Sequence, residues 1–307
     1  MNLNRFFATL GLLLSAILGC NAQNYTLQIA NLTWAGGPGG YNPFSATAYP
    51  NTINFTITKN SGGKNTTYSV MAGTSTTSGS YTRQMASGTS RLNYQLYTTS
   101  AMSYPLEAPN TATANNAISG TSSAVVGNVI PLTFTFYVPP SQVVAAGTYR
   151  DTINFGIYTA YNTASPMTSK SITITTVVAA SAALSIVPSG SAFSTSTSQT
   201  LAFGTLATGQ SLGCDLLVKQ DTTATLTFNS ANAGVMKAIP TPDTNQIPYT
   251  FVANGTTLNL ASAANVLLPS GVTSTGTRLP IKVTIGNTSA AAAGNYQDQI
   301  TVTVTTP

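Results

Sequence analysis

Apolar residues in this chain recur at every second position over short runs, and no stretch sustains the 3.6-residue period of a capped helix. Ile53, Phe55 and Ile57 alternate with Asn54, Thr56 and Thr58, and Leu92, Tyr94 and Leu96 share one parity within 91–97. The same pattern predicts strands over 25–33, 67–72, 125–130, 132–138 and 169–178. In the second half it predicts them over 184–187, 201–203, 212–218, 224–228, 249–252 and 279–285. Many short strands with Gly, Pro, Ser and Asn between them define an all-β protein. Two immunoglobulin-like Greek-key β-sandwiches fit the spacing better than one closed barrel.

One strand pattern occurs twice. Ala145-Ala146-Gly147-Thr148-Tyr149-Arg150-Asp151-Thr152-Ile153 returns as Ala292-Ala293-Gly294-Asn295-Tyr296-Gln297-Asp298-Gln299-Ile300. The copies lie about one domain length apart, so the chain divides into two related domains over 23–178 and 179–307, with a small-residue linker at 179–183. In each copy Gly147 or Gly294 supplies a turn, and Tyr149 or Tyr296 opens a period-2 strand. This is the tyrosine-corner arrangement that marks the next-to-last strand of such a sandwich. Asp151 and Asp298 share the inward parity. They are expected to accept backbone N–H bonds at the strand mouth; the alternative, a catalytic carboxylate, has no visible partner.

The segments after the two copies differ. The first copy is succeeded by a hairpin over 159–167 and a further alternating run, 169–178, which closes the sandwich. After the second copy the sequence ends at Pro307. The second domain is therefore predicted to lack its last strand. Such a sandwich exposes an apolar groove and an unpaired edge, a liability that a strand donated by another chain removes.

Composition narrows the function. Polarity comes from Thr, Ser, Asn and Gln, with charged residues at only 6%. Eleven Lys and Arg against six Asp and Glu give +5, without a basic cluster, so no nucleic-acid footprint is present. There is no His, which excludes Ser/His/Asp and Cys/His catalysis. No carboxylate pair or phosphate-binding loop stands out, and neither an enzyme nor a bound cofactor or metal is expected. Two apolar sets are candidates for surface contact. Trp34, Tyr41 and Phe44 lie in a Gly/Pro-rich loop over 34–44, which either folds back over the end of the sandwich or exposes a patch. Tyr161 and Met167 lie in the 159–167 hairpin, expected at the far tip of the first domain.

Residues 1–22 read as a secretory signal: Arg5, an apolar core over 6–18, and small residues ahead of Gln23. Lipoprotein processing at Cys20 is the alternative. Cleavage before Gln23 leaves Cys214 without an internal partner, as a small apolar strand residue.

In order along the chain, Arg83-Gln84-Met85, residues 92–97, Ala146-Gly147-Thr148-Tyr149-Arg150-Asp151, Phe203-Gly204, residues 228–234, Ile247-Pro248-Tyr249 and Ala293-Gly294-Asn295-Tyr296 together resemble the spore coat protein U family. Members of that family are subunits of archaic chaperone–usher pili. The resemblance implies export through the periplasm, capture by a pilus chaperone, passage through an outer-membrane usher, and assembly by a strand from the adjacent subunit. A two-domain member resembles the tip adhesin, which implies surface attachment and biofilm formation at a fimbrium, with the receptor unnamed. Alternatives are a coat or matrix protein that polymerises without adhesion, and a carbohydrate-binding module with an aromatic sugar platform. Family members often carry a disulfide; here Cys214 departs from that pattern.

Overall fold

The computed structural model describes residues 25–37, 39–109, 113–239 and 245–307. The expected signal segment and Cys20 lie outside the described residues. In the first half the strands are β1 (Tyr25–Gln28), β2 (Leu32–Trp34), β3 (Asn51–Lys59), β4 (Thr66–Ala72), β5 (Gln84–Ser87), β6 (Ser90–Asn93), β7 (Gln95–Tyr97), β8 (Ile118–Ser122), β9 (Val129–Tyr137), β10 (Gly147–Tyr158) and β11 (Thr168–Val178). They form two sheets, β1-β3-β9-β7 and β2-β11-β10-β4-β8, with the β5–β6 hairpin attached to β10. The inward parities predicted from sequence meet between the sheets. Phe55, Ile57, Phe134 and Phe136 on one side pack with Ile153, Phe155, Ile157, Ile172 and Ile174 on the other. Phe134 sits 5.3 Å from Phe155 and 5.9 Å from Phe55, ring to ring.

The second half has β12 (Ala182–Val187), β13 (Ser211–Gln220), β14 (Ala224–Ser230), β15 (Val235–Ile239), β16 (Gln246–Ala253), β17 (Thr256–Leu258), β18 (Ala264–Leu268), β19 (Thr277–Ile285), β20 (Asn295–Gln297) and β21 (Ile300–Thr305). Their sheets run β12-β13-β19-β16-β15-β20, with β17 on β16, and β18-β14-β21. A separate core built on Leu216, Val218, Leu226, Phe228, Phe251 and Leu279 fills this half. Cys214 is a buried free thiol in it, and burial, with Asp215 next to it, pushes its pKa up. Element by element, β12-β13-β19-β16 repeats β1-β3-β9-β7, and β18-β14-β21 repeats β8-β4-β10. No described strand corresponds to β11 or β2.

The structure departs from the sequence reading at several points. The run 25–33 is two strands, because the chain crosses between sheets after Gln28: β1 pairs antiparallel with β3, whereas β2 pairs in parallel with β11. The run 91–97 breaks at Tyr94 in the same way, with β6 in one sheet and β7 in the other. Of the predicted strand 125–130, residues 125–128 are a loop, turned by Gly127 at φ +84°, whose N–H donates to the Lys59 carbonyl at 2.8 Å, and Val129 and Ile130 open β9. Residues 201–203 are not a strand, and β12 begins inside the predicted linker. Short strands β5, β8, β15, β17 and β18 carried too little alternation to be read.

The halves meet at Asp221. Its carbonyl accepts the Ala146 N–H at 3.1 Å, and its Oδ1 accepts the Ser181 N–H at 2.8 Å. The N-terminal sandwich therefore has a joint end, at Gly147 and Val178, and a distal end, at Tyr158 and Thr168. About 35 Å of strand separates them, at roughly 3.3 Å per residue of β10.

Candidate functional site

The two copies of the repeat can be compared residue by residue. Tyr149 donates its hydroxyl to the Ala145 carbonyl at 2.8 Å, and Tyr296 to the Ala292 carbonyl at 2.9 Å. Gly147 takes φ +150°, where its missing Cβ spares a contact with Ser87; Gly294 takes no positive φ and stands in open space. Asp151 accepts from Thr76 Oγ1 at 2.8 Å, from the Thr77 N–H at 3.0 Å, and from Tyr94 Oη at 2.6 Å. Asp298 accepts from Ser230 Oγ at 2.6 Å, from the Asn232 N–H at 3.1 Å, and from Tyr249 Oη at 2.5 Å. Burial, reinforced by the hydrogen bond to the carboxylate, pushes both tyrosine pKa values up. At Asp151 burial works toward the neutral acid, but the donors, Tyr94 first, outweigh it and hold the pKa below the ordinary carboxylate range. Both aspartates tie a neighbouring loop and a tyrosine to the strand mouth. The tyrosines were legible as matched positions in the repeat, but their bonds to the aspartates were not.

Beyond the aspartates the copies diverge. β10 is paired on both sides, by β11 along Gly147–Ile157 and by β4 and β5 on the other edge. Ile153, Phe155 and Ile157 are fully buried. The second copy breaks into β20 and β21 at Asp298–Gln299, and β21 is paired only with β14 among the described residues. Its inward residues Ile300, Val302 and Val304, the counterparts of those three, remain half-buried. Leu201 and Phe203 are likewise only partly covered where they pack against this core. The described strands thus leave one edge of β21 open, with half-buried apolar residues along it.

A second surface lies at the distal end. Lys59 is fully buried, and its ammonium donates to the Lys64 carbonyl and, at 2.8 Å, to the Ser123 carbonyl. It thereby braces the β3–β4 and β8–β9 loops. Val125 and Val126 in the second loop, and Val129 at the start of β9, are 64%, 56% and 56% exposed. Thr67 Oγ1 donates to the Thr159 carbonyl at 2.9 Å, which brings the 159–167 hairpin to the same end.

The aromatics proposed for surface contact separate into three groups. Trp34 and Tyr41 are buried and are not surface residues. Trp34 packs edge-on against Phe136 at 5.6 Å, and Tyr41 donates its hydroxyl to the Pro139 carbonyl at 2.9 Å. Tyr41 also pairs with Val178, so this loop folds back over the joint end, far from the tip. Phe44 and Met167 are half-buried, Met167 against the core. Tyr161 is exposed, at the distal end. Sequence reasoning missed the three valines, because Val125 and Val126 were absorbed into a predicted strand. Gly127 and Asn128 were the turn signal that could have freed them.

Residues 8–156 match the Spore Coat Protein U domain. No curated protein sequence matches the chain. Among solved structures, the chain is similar to the CsuC–CsuE chaperone–tip adhesion subunit pre-assembly complex of the archaic chaperone–usher Csu pili of Acinetobacter baumannii. That likeness covers 91% of this chain and 99% of that one, at 14% identity and a TM-score of 0.44. It is also similar to the CupB6 tip adhesin of Pseudomonas aeruginosa, with 91% and 94% coverage, 8% identity and a TM-score of 0.35. A third similar structure is CfaE, the adhesive subunit of CFA/I fimbria of enterotoxigenic Escherichia coli, with 92% and 82% coverage, 12% identity and a TM-score of 0.35.

Proposed function

We propose that the chain is an exported pilus subunit, the two-domain tip adhesin of a chaperone–usher fimbrium. Residues 179–307 form the acceptor for a strand from a chaperone or an adjacent subunit, and residues 23–178 form the adhesive domain. The carrying observation is the contrast between β10 and β21: the same repeat is enclosed in one half and open along one edge in the other. An apolar strand edge left open costs solubility, and a strand donated in trans covers it with backbone bonds and side chains together. The Spore Coat Protein U domain supports the same reading. A periplasmic chaperone, an outer-membrane usher and a neighbouring subunit are the partners it requires. Contact with the surface falls to the distal end, through Val125, Val126, Val129 and Tyr161. The sugar-platform alternative loses two of its three loop aromatics, because Trp34 and Tyr41 are buried.

The test is a pair of substitutions, Val125→Asp and Val126→Asp, in the assembled fimbrium. Attachment to an apolar surface is expected to fall at least about tenfold, the equivalent of ~1.4 kcal/mol. The stability of the secreted chain should stay within about 0.5 kcal/mol of the parent, since both side chains are exposed. Unchanged attachment would remove the distal end from the adhesive role.

A further inference from the structure

The described surface carries exposed charge of one sign. Lys64, Arg91, Arg150, Lys170, Arg278 and Lys282 are exposed, whereas no described carboxylate is. Asp151, Asp215 and Asp221 are buried, and Glu107 and Asp298 are half-buried. Such a surface draws polyanions at long range, and local chemistry decides where one settles.

Strand pairing brings two of these cations onto one face. Arg150 of β10 lies opposite Ala86 of β5, and Ala86 lies opposite Arg91 of β6. On its other flank Arg150 lies opposite Thr175 of β11, which lies beside Thr33 of β2. Opposed residues share a face, so Arg91, Ala86, Arg150, Thr175 and Thr33 form one row on the outer side of the sheet. Their chain neighbours Leu92, Met85, Tyr149, Asp151 and Ile174 are buried on the inner side. Two strand spacings put the arginine Cα atoms about 10 Å apart. Ala86 is short and leaves the space between them open. In the adjoining row Gln84 Nε2 donates to Asn93 Oδ1 at 2.9 Å.

Both guanidiniums have donors left for a ligand. Arg150 has no hydrogen bond or ion pair among the described residues. Arg91 uses Nη1 on the Gly88 and Ser90 carbonyls, at 2.8 Å and 3.0 Å, which holds it at the β5–β6 turn with Nε and Nη2 unused.

We propose that this face binds a linear acidic polysaccharide. Uronate carboxylates sit on the forks of Arg91 and Arg150, and sugar hydroxyls meet Thr33, Thr175, Gln84 and Asn93. A planar guanidinium matches a carboxylate with two parallel N–H bonds, and two forks at this separation reach two carboxylates of one chain. The face suits other polyanions poorly. It carries no aromatic on which a nucleic-acid base could stack. Its row of arginines, threonines and one alanine has no large apolar side chain to enter a lipid layer. The row lies three residues in from Gly147 and Val178, on the flank of the first sandwich toward the joint. It is therefore a lateral contact with a matrix polymer, independent of the distal valines and of the open edge of β21.

The test measures binding of the full chain to polygalacturonate oligomers, with neutral dextran as the comparison. The parent is expected to bind polygalacturonate and not dextran. Arg91→Ser combined with Arg150→Ser should weaken binding at least about tenfold. Arg150→Lys keeps the charge and loses the fork, and should weaken it at least about threefold. Lys282→Ser, exposed on the second half, should stay within about twofold of the parent. Failure of the parent to bind, equal binding to dextran, or an equal loss in Lys282→Ser and the double variant overturns the proposal. Arg150→Lys binding like the parent overturns it too, since net charge alone would then account for the attraction. Stronger binding to phosphatidylglycerol vesicles or to single-stranded DNA, lost in the double variant, would give the face to a different polyanion.

Discussion

Arg83→Ala is expected to destabilise the N-terminal sandwich by about 3–5 kcal/mol, the range for emptying a large core side chain. Arg83 is fully buried and forms no ion pair among the described residues. Its guanidinium donates to the Gly73 carbonyl at 2.9 Å, to the Leu106 carbonyl at 2.6 Å, to the Ala72 carbonyl at 3.2 Å, and to Gln95 Oε1. Burial lowers its pKa, but carbonyl oxygens on several sides keep the cation satisfied. Truncation leaves a cavity and several buried acceptors without donors, each worth about 1–3 kcal/mol. Arg83→Lys keeps the charge but presents one compact ammonium where a planar fork spans two segments, so it should recover only part of the loss. Chemical denaturation of the full chain reads both; a change under about 1 kcal/mol for the alanine variant would contradict the role given to the fork.

Asp151→Ala is the second large effect, about 3 kcal/mol, because it strands the Tyr94 hydroxyl and the Thr77 N–H inside the sandwich. The matched Asp298→Ala should cost less, since Asp298 is half-buried. The same Asp151 carboxylate sets an acid limit. Its folded pKa is held down, so its stabilising contribution is complete above the ordinary carboxylate value and is lost as pH falls through the depressed one. Acid unfolding of the N-terminal sandwich should therefore steepen below about pH 4, and Asp151→Ala should flatten it. Asp221 acts with the opposite sign. Burial raises its pKa, and its Oδ2 has no hydrogen-bond partner among the described residues, so its ionisation weakens the joint as pH rises through the carboxylate range. A denaturation series from about pH 2 to 7 on the parent and on Asp151→Ala separates the two; an unchanged acid limb in the variant would show that another group sets it.

The architecture was legible where apolar side chains keep strict parity over five or more residues, as in β3, β10 and β11. The repeat made the pairing of the two halves visible in the sequence, because Gly-x-Tyr-x-Asp fixes both a corner and a strand face. Three kinds of feature were not legible. Sheet crossings at Gln28 and Tyr94 preserve local alternation while changing partners, so a single run reads as one strand. Val125 and Val126 have strand propensity but belong to a loop that the buried Lys59 holds from outside their own sequence. Leu201–Phe203 has the alternation of a strand and no described strand to pair with, so propensity alone misplaced it.

The strand-acceptor role requires β21 to be an open edge in solution. The most direct measurement is residue-resolved amide hydrogen exchange on the full chain with no partner present, comparing Ile300–Thr305 with Ile153–Tyr158. Alternate amides of β21, those directed away from β14, are expected to exchange fast, while the matching amides of β10, covered by β11, stay protected. Equal protection along both strands would mean that the second sandwich already closes its own edge, and the strand-acceptor role would fall.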